Sequence, residues 1–204
     1  MVKVTAPMFS LDASGTLAKA VTFSKWKGRN YARTRVIPSN PQSGLQVGMR
    51  SGISCAAKLW AALSAAKKAA WAGGVGTEAI SGFNLFTRTG QKNVRNDFSY
   101  SEQYGADAKV NAPPAPGDAA AVQNGTDVEV TWTSAAGAFT LLVFHSLTTG
   151  FAPGIVNLIG IVPSTDNTFT HRNPGIDTHY YEVRSAGADG GVGALEGEFS
   201  AVVA

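Results

Sequence analysis

A single cysteine, Cys55, stands among 204 residues, so no internal disulfide can form and a reducing compartment is the expected setting. The expected role of that thiol is a small buried helix residue, since no neighbouring base is in evidence to activate it. No window approaches the roughly 18 unbroken apolar residues of a membrane span, and no apolar run follows Met1, Val2 and Lys3 as a secretory signal requires. Synthesis in a cytoplasm, with no membrane partner, is the expectation. Catalytic patterns are also missing. No Gly-x-Ser-x-Gly elbow frames a nucleophile, and Gly190-Gly191-Val192-Gly193 lacks the Lys and following helix of a phosphate loop, so it reads as a turn between strands. His145, His171 and His179 come without a His-x-x-x-His, a Cys pair or a Glu-x-x-His, even with Asp177 two residues before His179. They are expected at the surface near strand ends, and Glu196 and Glu198 on a solvated face. The reading is of a protein that is not an enzyme and takes no metal or cofactor.

Acidic charge is absent where basic charge is densest. Between Lys19 and Arg35 lie Lys19, Lys25, Lys27, Arg29, Arg33 and Arg35, with no Asp or Glu to neutralise them. Cut after Lys109, the chain divides into a front part where 15 Lys and Arg face five acids, leaving +10, and a rear part where two face nine, leaving −7. Such asymmetry marks two units with different surroundings.

Residues 1–16 alternate at Val2 and Val4 before Pro7, which fits a short edge strand or extended arm. LAKAVTFSKW and YARTRVI, joined by Lys27-Gly28-Arg29-Asn30, form a hairpin with a Gly-containing turn. The period of two puts Val21, Phe23, Lys25 and Lys27 on one face of the first strand, and Tyr31, Arg33 and Arg35 on one face of the second. Ile37-Pro38-Ser39-Asn40-Pro41 is forced to be extended. A long helix starting at Gln42 or Ser43 carries Leu45, Met49, Ile53, Ala56, Trp60 and Leu63 on one face; Ser64 restarts it, Trp71 closes it, and Gly73-Gly74 stops it. A shorter helix over 81–90 packs Phe83 and Phe86 on the first.

Residues 96–115 are Pro- and Ala-rich, without periodicity, and read as a linker. Beyond them come strands at Asp127–Thr133, Phe139–Phe144, Gly154–Val162, Thr168–Thr170, Tyr180–Ser185 and Phe199–Val203, separated by turn signals such as Asn124-Gly125 and Asn173-Pro174-Gly175. The fold class expected is an α+β N-terminal anchor of hairpin, arm and helices over 1–95, then the linker, then an all-β immunoglobulin-like sandwich over 116–204.

The proline-rich lead-in, Val128-Glu129-Val130-Thr131-Trp132 and Tyr180-Tyr181-Glu182-Val183-Arg184-Ser185-Ala186 resemble a fibronectin type III domain. The resemblance implies two packed antiparallel sheets without a disulfide, with Tyr181 as a corner tyrosine whose hydroxyl ties back to Asn173-Pro174-Gly175. Ser185 stands where that family usually has an apolar residue. In the front half, Trp26-Lys27-Gly28-Arg29, Ile37-Pro38-Ser39-Asn40-Pro41, Gln46, Arg50, Trp60, Trp71 and Ser81-Gly82-Phe83-Asn84-Leu85-Phe86 resemble structural proteins of tailed bacteriophages and prophages. That resemblance implies a virion component made in the host cytoplasm, whose partners are other virion proteins of capsid or tail and copies of itself.

The expected partner-binding residues are Lys19, Lys25, Lys27, Arg29, Arg33, Arg35 and Arg50. Docking on an acidic protein shell, with Arg forks pairing carboxylates, is favoured over nucleic-acid contact, because the acidic rear half would repel a polyanion. Head decoration is the first choice within the particle, with a tail, neck or adaptor component beside it. A carbohydrate-binding adhesion module would need exposed aromatics such as Phe151 and Tyr180 on the β half.

Overall fold

The computed structural model describes residues 15–17, 20–27, 29–37, 43–96, 100–105 and 112–204. Contacts divide the chain into two compact units, Met1–Pro41 and Gln42–Ala204.

Among the described residues the first unit is a ribbon of three antiparallel strands in the order β1 (Gly15–Leu17), β2 (Val21–Trp26), β3 (Arg29–Thr34). The hairpin read from the sequence is the β2–β3 pair, with Val21 opposite Thr34 and Trp26 opposite Arg29. Its turn opens on Lys27 at a φ of 48°, in the left-handed region a non-glycine residue rarely occupies. The Pro38–Pro41 arm lies outside the described residues apart from Ile37 before it.

The second unit is α+β. Helix α1 (Gly44–Ala62) is followed by α2 (Ala65–Gly73) and α3 (Gly82–Val94), and the hydroxyls of Ser64 and Ser81 cap the last two by accepting from the N–H groups of Lys67 and Asn84. Eight strands follow: β4 (Gly117–Asn124), β5 (Asp127–Thr133), β6 (Ala138–Ser146), β7 (Leu158–Pro163), β8 (Thr168–His171), β9 (Asp177–Gly187), β10 (Val192–Leu195) and β11 (Phe199–Val203). They form two antiparallel sheets, β4-β5-β8 and β10-β9-β6-β7, with β11 pairing the first half of β9 and β10 its second half. Strands β4 and β10 were not anticipated. GDAAAVQN and VGAL carry too little β-branched or aromatic character to stand out.

One core lies between the sheets, where Val128, Val130 and Trp132 of β5 meet Leu141 and Val143 of β6 and Tyr181 and Val183 of β9. Trp132 fills the core as its sequence context implies. A second core lies on the outer side of the larger sheet, where Leu142 and Phe144 of β6 and Leu158 and Ile161 of β7 are covered by Cys55, Ala56 and Leu59 of α1 and Leu85 and Phe86 of α3. The helices share a compact unit with the sandwich, Gln42–Ala204. The physical reason is that both faces of β6 and β7 are apolar, as their nearly continuous burial records, and a two-faced strand must be covered twice.

The described part of the expected linker is likewise packed. Tyr100 is fully buried, donating from its hydroxyl to the carbonyl of Gly52 at 3.0 Å and accepting from the Gln91 amide at 2.7 Å. Ser101 and Glu102 both bond the carbonyl of Ala188 in the turn between β9 and β10.

The face that α1 buries also differs from the expected stripe. Leu45 and Ile53 are exposed, while Gly48, Gly52, Cys55, Ala56 and Leu59 are buried. Small residues win because α1 lies directly on β7: Ser51 Oγ accepts from the Ile161 N–H at 2.7 Å and donates to its carbonyl at 2.9 Å, closing the free edge of that strand. A Cβ on Gly48 would run into the carbonyl oxygen of Leu158. Gly48→Ala gains about 1 kcal/mol in helix propensity, but the obstacle is strand backbone and cannot swing aside. A net loss of about 1–3 kcal/mol is expected, read from the denaturant midpoint. Cys55, buried in this face, has its thiol pKa pushed up to about 12 by desolvation, as suits a packing residue.

Candidate functional site

The ribbon has two unlike faces, set by strand pairing. Residues opposite one another across a ladder point to the same side, so Thr22 with Arg33, and Ser24 with Tyr31, share a face that ends at Trp26. Arg35 follows at the same alternation, its N–H bonding the carbonyl of Ala20 at 2.7 Å. The other side carries Val21, Phe23 and Lys25, of which Val21 and Phe23 are half-buried. The pairing thus puts Arg33, Arg35, Tyr31 and Trp26 on one face, and Val21, Phe23 and Lys25 on the other.

Arg33, Arg35, Lys25 and Lys27 are exposed. Lys27 Nζ lies over the Trp26 ring, 4.8 Å from its centroid, so part of its charge is already directed at an aromatic face. Arg29 is the first residue of β3, and Lys19 lies outside the described residues. Arg50 is exposed on α1, in the other compact unit. Trp26, Val36 and Ile37 are 65%, 70% and 76% exposed, a concentration of large apolar surface that water disfavours.

The three histidines are not where the sequence reading put them. His179 is 1% exposed, and His145 and His171 are half-buried beside it. Ring centroids lie 4.7 Å apart for His145 and His171, and 5.1 Å for His145 and His179. Tyr181 joins them, its hydroxyl 3.0 Å from His171 Nδ1. The expected tie from that hydroxyl to the Asn173-Pro174-Gly175 turn is instead made by His179, whose Nε2 donates to the Gly175 carbonyl at 3.0 Å. The missed signal is the strand period: His179 shares parity with inward Tyr181 and Val183, and His145 with Leu141 and Val143. Among the described residues no group of three or more His, Cys, Asp or Glu is arranged to hold a metal ion.

Glu196 is half-buried and Glu198 exposed; the Glu198 carboxylate accepts from Thr149 Oγ1 at 2.6 Å and from the Gly150 N–H at 2.7 Å, pinning a loop. Phe151 and Tyr180 are half-buried, and Phe151 packs against the helix-covered core.

No protein-family model matches the chain, and no curated protein matches it. The β half is built of two antiparallel sheets packed on a shared core. Solved structures similar over this region include a fibronectin type III-like protein from Clostridium thermocellum, at 22% identity, covering 45% of this chain and 93% of that one with a TM-score of 0.39. The FN1–FN3 domains of chicken CNTN1 match at 12% identity, covering 45% of this chain and 31% of that one with a TM-score of 0.38. Ser185 is fully buried in the position where an apolar residue was expected. Among the described residues no helix is long and apolar enough to cross a membrane.

Proposed function

We propose that this chain is a non-enzymatic structural protein of a bacteriophage virion, most simply a head decoration protein, that docks on an acidic protein surface through the cationic ribbon of its first 41 residues. The virion assignment comes from the sequence resemblance of the front half. The docking mode rests on one observation: the unit 1–41 carries seven Lys and Arg against one Asp, giving +6, while 42–204 carries ten against 13 acids, giving −3. A three-stranded sheet with exposed Trp26, Val36 and Ile37 supplies little stabilisation of its own. A partner that covers those side chains and meets Arg33 and Arg35 with carboxylates supplies both missing terms.

The placement of Tyr31, Arg33 and Trp26 on one face favours a second reading, single-stranded nucleic acid stacking on the aromatics. Charge reversal separates the two. Arg33→Glu with Arg35→Glu is expected to weaken attachment to purified particles of the encoding phage by at least about tenfold, or about 1.4 kcal/mol, with an unchanged melting temperature. Unchanged occupancy on the particle would overturn the docking reading. A steep loss of affinity for an oligonucleotide with rising salt, alongside no particle binding, selects the second.

A further inference from the structure

We infer that His145, His171 and His179 form an acid-sensitive latch that holds the two sheets together at the Gly175 end of the sandwich. The three imidazoles come from three strands: His145 from β6 and His179 from β9 in the larger sheet, His171 from the end of β8 in the smaller one. Their hydrogen bonds have a fixed direction. A carbonyl only accepts, so the His179 Nε2 facing Gly175 carries the proton. In the neutral ring Nδ1 is then an acceptor, and His145 Nε2 donates to it at 2.9 Å.

A second proton on His145 places a cation 4.7 Å from the centroid of His171 and 5.1 Å from that of His179. Among the described residues that charge finds no carboxylate within the cluster. Tyr181, whose phenol burial keeps neutral, faces His171 from β9. Asp127 of β5 is the acid whose charge bears on His171, and its carboxylate already accepts from the Asn173 N–H at 2.9 Å. Phe199 of β11, stacked on Tyr181, adds apolar surface and no charge.

The energetics run the same way as the geometry. Desolvation, followed by the neighbouring imidazoles, holds His145 at about 3 and His171 at about 4, against an ordinary value near 6.5. With native values below unfolded ones, the unfolded chain binds protons first as pH falls, so stability is complete above about pH 6.5 and is lost as pH falls from there to about 4 for His171 and about 3 for His145. Each of the two histidines lowers the folding constant by about a hundredfold at pH 4.5. Among the described residues the helix-covered core holds Cys55 and Tyr100 as its ionisable members, both raised well above this range. Opening therefore starts at the histidine end.

The test uses the full chain. Heteronuclear NMR of the imidazole nitrogens between pH 7.5 and 4 is expected to show His145 and His171 unprotonated down to about pH 5. Amide exchange at Phe169, Thr170, Gly175 and Phe199 should then accelerate at pH 4.5 ahead of exchange in α1. His145→Gln with His171→Gln should flatten the pH dependence of the melting temperature between 7 and 4.5. Imidazoles that all titrate near 6.5 in a chain that stays folded overturn the latch. So does a double variant whose melting curve falls with pH in parallel with the parent. If the variant fails to fold, the imidazole titration and the order of exchange in the parent decide alone.

Discussion

Residues 42–204, produced without the first 41, are expected to melt at the temperature of the full chain, whereas residues 112–204 produced alone are expected to show no cooperative transition and to bind a hydrophobic dye. The contrast follows from where the apolar faces lie. Removing the helices uncovers Leu142, Phe144, Leu158 and Ile161, all buried on the outer side of the larger sheet. At about 1.5–3 kcal/mol for each side chain, their exposure costs about 6–12 kcal/mol, which is the size of a whole domain's stability. The bond from Ser51 to both backbone groups of Ile161, and the Lys58–Asp166 ion pair at 2.6 Å, disappear with α1. The ion pair, largely exposed, adds little; the loss is one of packing. Scanning calorimetry on the two fragments decides the matter. A well-folded 112–204 fragment with the parental melting temperature would mean that the helices are an appendage and that the unit boundary lies after them.

Phe86→Ala is expected to be the most damaging single change among the helices, at about 3–5 kcal/mol. Phe86 is fully buried between three aromatic rings, with centroids 5.7 Å from Trp60, 5.2 Å from Trp71 and 5.3 Å from Tyr100. None of the three can collapse freely into the space it leaves. Trp71 is held by a bond from Nε1 to the Glu102 carbonyl at 3.3 Å, and Tyr100 by its bonds to Gly52 and Gln91. The cavity therefore persists, and the transfer loss and the cavity cost add. Urea unfolding followed by tryptophan fluorescence reads both stability and the local packing of Trp60 and Trp71. A stability loss under about 1 kcal/mol would show that α3 is not the keystone of this core. Phe83, half-buried and 5.8 Å from Trp60 alone, serves as the internal comparison, with a smaller loss on truncation.

Much of the architecture was legible because it rests on short-range chemistry. Ser64 and Ser81 marked helix starts since a hydroxyl one residue ahead of the helix satisfies a free N–H, and both do so. Asp127–Thr133 and Phe199–Val203 were readable as strands because alternation and turn residues bracket them. The ribbon's cationic character needed no structure at all, being a property of Lys25, Lys27, Arg33 and Arg35 as written.

What the amino-acid order determined, then, was the menu of elements, the sandwich in the rear half and the segregation of charge toward the front. Three things depended on contacts between distant parts of the chain. Leu45 and Ile53 looked like the buried face of α1, yet Gly48 and Gly52 are buried, because the Leu158 backbone of β7 crowds the first and the Gln91 side chain of α3 the second, leaving no room for bulk. Residues 100–105 looked like linker, yet Tyr100 is sealed in a core by a carbonyl 48 positions away. His145, His171 and His179, spread over 35 positions, meet only because β6 and β8 end where β9 begins. Periodicity records which side of an element is apolar; the neighbour that covers that side, and how closely it approaches, is fixed by tertiary packing alone.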